Sequence, residues 1–282
     1  MTRIIAVSNQ KGGVGKTTSA INLSACLAAN ERKCLLVDMD PQANASSGFG
    51  FYPRDIERSM YDVIVQEHPL SDVICQTELQ NLDIAPANQD LSGIEIELVS
   101  AISRESRLRE ALEPVADQYD FILIDTPPTL GLITVNALTA ANSVLIPMQS
   151  EYYALEGLSL LMKTTSLIKK RLNPDLGREG ILLTMYDRRN NLSQQVEHEI
   201  RGHFGDEVFR SVIPRNVKLS EAPSYGKPIL LYDFSSRGSQ AYMDVALEIL
   251  ERYPGKTLKT PLRRQDLGRM MRNSLDGGQL DA

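Results

Sequence analysis

Eight consecutive residues, Lys11-Gly12-Gly13-Val14-Gly15-Lys16-Thr17-Thr18, place three glycines, two lysines and two hydroxyls side by side. An apolar strand-like run, Ile4 to Val7, precedes them, and a helix-like run from Thr18 to about Ala29 follows. Glycines at 12, 13 and 15 allow backbone conformations closed to other residues, so successive N–H groups can converge on an anion at the positive end of a helix. Lys16 supplies a charge for the β and γ phosphates of a nucleotide, and the Thr17 hydroxyl is placed to ligate Mg²⁺. Lys11, beside two glycines, is a second phosphate contact. Three aspartates complete the set. Asp125 closes the apolar run Phe121–Ile124 and is a natural Mg²⁺ partner, held directly or through a water. Asp38 and Asp40 follow another apolar run and, two apart in an extended segment, point to the same side. One of them can serve the metal shell while the other orients a water towards the γ phosphate.

These groups need a scaffold that delivers strand ends to one place, and the remaining chain supplies it. Short apolar runs alternate with helical patterns: Cys34–Val37, Leu82–Ala85, Phe121–Ile124, Val144–Pro147 and Ile181–Thr184 read as strands, Val208–Ile213 as a further one and Ile229–Tyr232 as the last. Helical spacing covers Tyr61–Val65, Ile94–Leu112 up to Pro114, Leu155–Leu172, Ser193–Phe204 and Ser239–Arg252. The pattern predicts an α/β fold, a mostly parallel twisted sheet flanked by helices on both faces. Ligands of such sheets bind beyond the carboxyl ends of the strands, where the aspartates fall.

A chain of 282 residues with 42% hydrophobic and 23% charged residues fits a soluble globular protein with a sizeable core. No segment approaches the roughly 18 apolar residues of a membrane span, and the N-terminus lacks the marks of a secretory leader. Cys26, Cys34 and Cys75 have no paired spacing and read as thiols of a reducing cytosol. His68, His198 and His203 lack metal-site spacing. The net charge of −6 argues against bulk attraction to nucleic acid. Its distribution is uneven: residues 256–282 carry six basic against three acidic side chains, a net +3, leaving −9 on the rest. Residues 1–255 are expected to form the nucleotide-binding domain and 256–282 a basic, flexible tail.

The glycine loop departs from the general P-loop pattern, which asks for glycine at the position of Gln10, and adds Lys11 at its entrance. It is a deviant Walker A form of the P-loop NTPase fold. Lys11 to Thr18, Asp38-Met39-Asp40-Pro41-Gln42, Ile124-Asp125-Thr126-Pro127-Pro128, Glu151-Tyr152-Tyr153-Ala154-Leu155-Glu156-Gly157 and Ile213-Pro214-Arg215-Asn216-Val217-Lys218-Leu219-Ser220-Glu221-Ala222-Pro223 resemble the ParA/Soj family of chromosome- and plasmid-partitioning ATPases over residues 2–252. The resemblance implies ATP and Mg²⁺ as ligands, a face-to-face homodimer when ATP is bound, and a Lys11 that reaches the partner's nucleotide. It makes Asp40 the water-positioning aspartate, assigns Thr17, Asp38 and Asp125 to the metal shell, and sets Pro214 and Asn216 against adenine. It implies slow hydrolysis stimulated by a ParB-type centromere-binding protein, and a cytoplasmic, nucleoid-associated chain. It also implies sequence-independent binding to double-stranded DNA by the dimer. Arg189 matches a DNA-contact position of the family, and Lys218 falls where Soj-like members carry a basic residue, often arginine. Arg188 lacks that match and reads as a solvated charge.

The tail extends past the compact Soj pattern. Within Pro261–Leu275, Leu267, Met270, Met271 and Leu275 recur at helical spacing among four arginines. Such a segment could lie on an anionic membrane, as in the related MinD positioning ATPases. Gly268 and the lack of bulky aromatics favour a basic extension that helps DNA or partner binding.

Overall fold

The computed structural model describes residues 2–151 and 154–253. Tyr152 and Tyr153, inside the Glu151–Gly157 motif, and the expected tail with its Pro261–Leu275 spacing lie outside the described residues.

Seven strands form one sheet among the described residues: β1 (Arg3–Val7), β2 (Cys34–Asp38), β3 (Cys75–Gln76), β4 (Leu82–Ala85), β5 (Phe121–Asp125), β6 (Ser143–Gln149) and β7 (Gly177–Thr184). Their order across the sheet is β3-β4-β2-β5-β1-β6-β7. All neighbours are parallel except β3, which pairs antiparallel with β4 at the edge. The helices are α1 (Lys16–Ala29), α2 (Asn44–Ser47), α3 (Met60–Ile64), α4 (Ile94–Glu97), α5 (Arg107–Ala116), α6 (Leu132–Ala140), α7 (Ala154–Arg171), α8 (Asn191–Phe204), α9 (Val217–Glu221), α10 (Ile229–Tyr232) and α11 (Arg237–Arg252).

The central strands are buried on both sides, which is why they read as unbroken apolar runs. Alternate residues feed two cores. Ala6, Leu35, Val37, Ile122 and Ile124 pack with residues of α3, α5 and α6, whereas Ile5, Val7, Leu36 and Leu123 pack with α1 and α11. The helix that follows the glycine loop is therefore held along its length, buried from Ser19 to Ala28.

Three expected elements differ. Val208–Ile213 is not a strand of the sheet. It runs beside β7 with single contacts, Phe209 N–H to the Ile181 carbonyl at 3.0 Å and Ile213 N–H to the Leu183 carbonyl at 2.8 Å. Between them the Arg210 and Ser211 N–H groups donate to the Glu248 carboxylate at 2.9 and 2.7 Å, so a side chain of α11 takes the bonds a ladder would use. Ile229–Tyr232 is a helical turn, α10, begun by Pro228; four apolar residues carry no period that separates helix from strand. Ile94–Leu112 is two helices instead of one. Ser103 adopts a left-handed φ of +55°, and α5 restarts at Arg107, where the Leu108 N–H donates to Asn136 Oδ1. The break leaves Ile96, Val99 and Ile102 at the surface, and α5 continues two residues past Pro114. The two-residue β3 was not foreseen.

Candidate functional site

The carboxyl ends of β1, β2 and β5 carry the site. Val7 pairs in register with Asp125, and Asp38 pairs with the same Asp125, so the two aspartates stand side by side on neighbouring strands. The chain leaves β1 into the glycine loop and enters α1 through Gly15. Gly13 and Gly15 have left-handed φ values of +72° and +87°, which an L side chain adopts only under strain. No side chain caps α1, so its first-turn N–H groups remain for an anion.

The loop is pinned from β6 and β7, the two strands on one side of β1, by residues that sequence reasoning did not single out. Gln149, at the end of β6, donates to the Gly13 carbonyl at 2.9 Å, and Thr184, at the end of β7, donates to the Val14 carbonyl at 2.8 Å. Asn9 donates to the Pro147 carbonyl at 2.7 Å and accepts from the Lys11 N–H at 3.0 Å. Their position at strand ends in register with the loop is a tertiary fact with no local signature. Val14 is buried and Gly12 lies against Pro128.

Lys16 is buried, and its ammonium donates to the Lys11 carbonyl at 3.3 Å. Burial lowers its pKa, opposed by the charges of Asp125 and Asp40. Asp125 is fully buried, and neither carboxylate oxygen has a hydrogen-bond partner of normal geometry. Burial, then the charge of Asp38, raises its pKa well above the carboxylate range, although the nearby Thr17 hydroxyl favours the ionised form. An ionised carboxyl so placed is costly without a cation. The donor set fits a hard divalent ion: an orphaned carboxylate, an adjacent hydroxyl and a loop shaped for phosphate oxygens. Among the described residues no group of three or more His, Cys, Asp or Glu side chains could hold a metal by itself.

Asp38 has a different setting. Its Oδ2 accepts from the Ser46 N–H and hydroxyl at 2.8 and 2.7 Å, and its Oδ1 accepts from the Asp40 N–H at 3.1 Å. Burial nevertheless pushes its pKa up to about 6. The side chain ties α2 and the Asp40 backbone to β2. Asp40 is nearly buried and spends one oxygen on the Gln42 N–H at 3.0 Å. Lys11, by contrast, turns to the rim, where its ammonium donates to Glu151 at 2.6 Å with both side chains part-exposed.

A cavity of about 430 Å³ opens beside Gly15 and Thr18 and is lined by Met185, Pro214, Asn216 and Val217. Pro214 and Asn216 thus share a cavity with Gly15 of the glycine loop. Asn216 caps α9, accepting from the Lys218 N–H at 2.8 Å. Met185, unnoticed in the sequence, has a left-handed φ of +49° at the cavity wall. Arg189 lies on the loop before α8 and Lys218 in the first turn of α9, beyond this cavity. The Arg189 guanidinium, with its side chain 90% exposed, donates to both oxygens of Asp187 at 3.2 and 3.3 Å. Lys218 donates to Glu221 at 2.8 Å. The two segments are joined through Tyr186, which donates to the Ile213 carbonyl and accepts from the Arg215 N–H. Cys26 and Cys34 are buried free thiols, and Cys75 is a half-buried one.

A glycine loop with two lysines, an orphaned aspartate at a strand end and a parallel sheet of this order define a P-loop nucleotide hydrolase of the deviant Walker A class. A family model described as an AAA domain matches residues 2–178. The chain is 55% identical over 262 residues to the chromosome partitioning protein ParA of Myxococcus xanthus, covering 93% of this chain and 92% of that one. It is 57% identical over 249 residues to the sporulation initiation inhibitor protein Soj of Bacillus subtilis, covering 88% and 98%. Among solved structures, cobyrinic acid a,c-diamide synthase of Mycobacterium smegmatis with bound ADP and magnesium superposes with a TM-score of 0.80 at 33% identity, covering 92% of this chain and 98% of that one. The chain belongs to the ParA/Soj family of partitioning ATPases.

Proposed function

We propose that this chain hydrolyses ATP slowly to drive DNA segregation. ATP binding closes a face-to-face dimer that grips DNA without regard to sequence, and hydrolysis, stimulated by a ParB-type centromere-binding protein, releases it. The observation that carries this reading is Asp125, buried without a partner beside Lys16 and Thr17 at the mouth of the glycine loop.

Each residue has a task set by its surroundings. Lys16 meets the β and γ phosphates, exchanging a backbone carbonyl for a stronger anionic acceptor. Thr17 and Asp125 would hold Mg²⁺, which would supply positive charge against the phosphates during transfer. Asp38, occupied by Ser46 and the Asp40 N–H, keeps the Asp40 loop in place and belongs to the outer metal shell. Asp40 orients the attacking water. Pro214 and Asn216 close on adenine at the cavity wall. Lys11 points away from its own loop towards the rim, a position from which it can leave Glu151 for a partner's phosphates. Entering cations of this kind are worth roughly 10³–10⁵ in rate where they complete a phosphoryl-transfer site.

Arg189, on the loop before α8, and Lys218, at the start of α9, provide DNA contacts next to the nucleotide cavity. Both are held by carboxylates of their own segments, so DNA phosphates must compete for them. Binding is therefore weak for one subunit and useful when two subunits add their contacts. Such a chain works in the cytoplasm on the nucleoid. The test is co-sedimentation of the full chain with DNA and, separately, with anionic vesicles, in ATP and in ADP. ATP-dependent pelleting with DNA is expected; pelleting with vesicles alone would replace this reading by a MinD-type membrane switch.

A further inference from the structure

We propose that Lys218, Tyr225 and Tyr232 act as one phosphate-binding unit on the DNA backbone, a proposal that rests on the DNA-binding reading above. The Tyr225 hydroxyl donates alongside the Lys218 ammonium, and the Tyr232 ring is the platform that aligns them.

Lysine at 218 brings charge without the two-pronged donor of arginine, so a phosphate held there alone is poorly oriented. The neighbouring surface supplies what is missing. The Tyr225 and Tyr232 rings stack with centroids 4.9 Å apart at 32°, and the Lys218 ammonium sits 5.5 Å from the centre of the Tyr232 ring. One ring thus holds both the cation and the second tyrosine. Tyr225 is 64% exposed, an unusual setting for a large aromatic, and tyrosine hydroxyls are regular donors to DNA phosphates. Gly226 fixes the turn behind it: φ is +62°, and a Cβ there would stand 2.9 Å from the Gly50 backbone. The turn that carries Tyr225 is therefore packed closely against the segment at Gly50 and admits only glycine at 226.

Glu221 completes the unit. It accepts from the Tyr232 hydroxyl at 2.9 Å and from Lys218 at 2.8 Å. The Tyr232 ring face, not this hydroxyl bond, positions its neighbours, and the grip of Glu221 on Lys218 is the bond that an arriving phosphate replaces. The Lys218 N–H also donates to Asn216, a residue of the nucleotide cavity wall, so the unit begins next to the adenine loop.

The experiment measures binding of the full chain with ATP to a mixed-sequence duplex by fluorescence anisotropy across salt concentrations, with light scattering to confirm dimers. A neutral donor releases no counterion, whereas each cation on a phosphate contributes about 0.9 to the salt slope. Tyr225→Phe should lower affinity about three- to tenfold with the slope unchanged. Lys218→Gln should lower both affinity and slope, the latter by about two per dimer. Tyr232→Phe should bind like the parent, and Tyr232→Ala should lose affinity and slope together. Parent-like binding by Tyr225→Phe, or a parent-like slope in Tyr232→Ala, overturns the unit. A variant that binds weakly because it no longer dimerises also overturns it. Failure of the parent itself to bind DNA with ATP overturns the underlying reading instead.

Discussion

Asp125 concentrates the chemistry of the site in one side chain. Its burial outweighs the nearby Thr17 hydroxyl and Lys16 charge, so its ionised form is unfavourable until a further cation arrives. Asp125→Asn should weaken magnesium-dependent nucleotide binding while raising thermal stability in chelator, because an amide has no charge to desolvate. The pH dependence follows in sign. A carboxyl whose folded pKa is raised favours the folded state below its ordinary value near about 4 and loses that advantage as pH rises through the folded value. In chelator the parent should therefore lose stability as pH climbs from about 4 through the raised folded value, and the Asn variant should lose less; identical curves would show that Asp125 is not the strained group. Asp40→Ala should keep ATP binding and accumulate a DNA-bound dimer, with turnover reduced about 10²-fold or more. Single-turnover hydrolysis at the parent rate would remove Asp40 from the water site. Lys11→Ala should bind ATP yet stay monomeric by light scattering, and an ATP dimer of normal size would count against its crossing role.

At the scale of elements, the sheet was written plainly in the sequence and its fringes were not. Buried parallel strands need no alternation, so Phe121–Ile124 and Cys34–Val37 announce themselves as apolar runs. Val208–Ile213 has the same look, but Glu248 takes its N–H groups, and a bond from a distant helix leaves no local trace. Residues of the phosphate loop and the three aspartates were legible because their chemistry fixes their spacing. Gln149, Thr184 and Met185 were not, since only the meeting of β6 and β7 with the loop gives them meaning. Asp38 was legible as a strand-end acid, while its bonds to Ser46 depend on how α2 folds back. Two expectations follow. Glu248→Ala should destabilise the fold by about 1–3 kcal/mol in urea unfolding, through two N–H groups left without a partner; an unchanged midpoint would mean that the 208–213 segment finds bonds elsewhere. Thr184→Val should loosen the Val14 carbonyl and raise the dissociation constant for ATP, and parent-like affinity would make that bond dispensable.

At the scale of the whole molecule, the proposed nucleotide and DNA sites lie at the same carboxyl end of the sheet. The loop of Arg189 and the start of α9 with Lys218 are linked through Tyr186 and Arg215 to the cavity expected to hold adenine. Each cation is already paired with a carboxylate, so a single subunit has little net attraction for a polyanion. On the function proposed above, joining two subunits doubles the phosphate contacts and steepens the salt dependence, so that dimerisation is the switch. The most direct measurement is sedimentation equilibrium of the chain with a labelled DNA duplex at fixed salt, comparing the parent in ATP and ADP with Lys11→Ala in ATP. DNA should travel only with the ATP-bound dimer of the parent. A monomer of Lys11→Ala, or of the parent in ADP, that carries DNA with the affinity of the dimer would contradict the account.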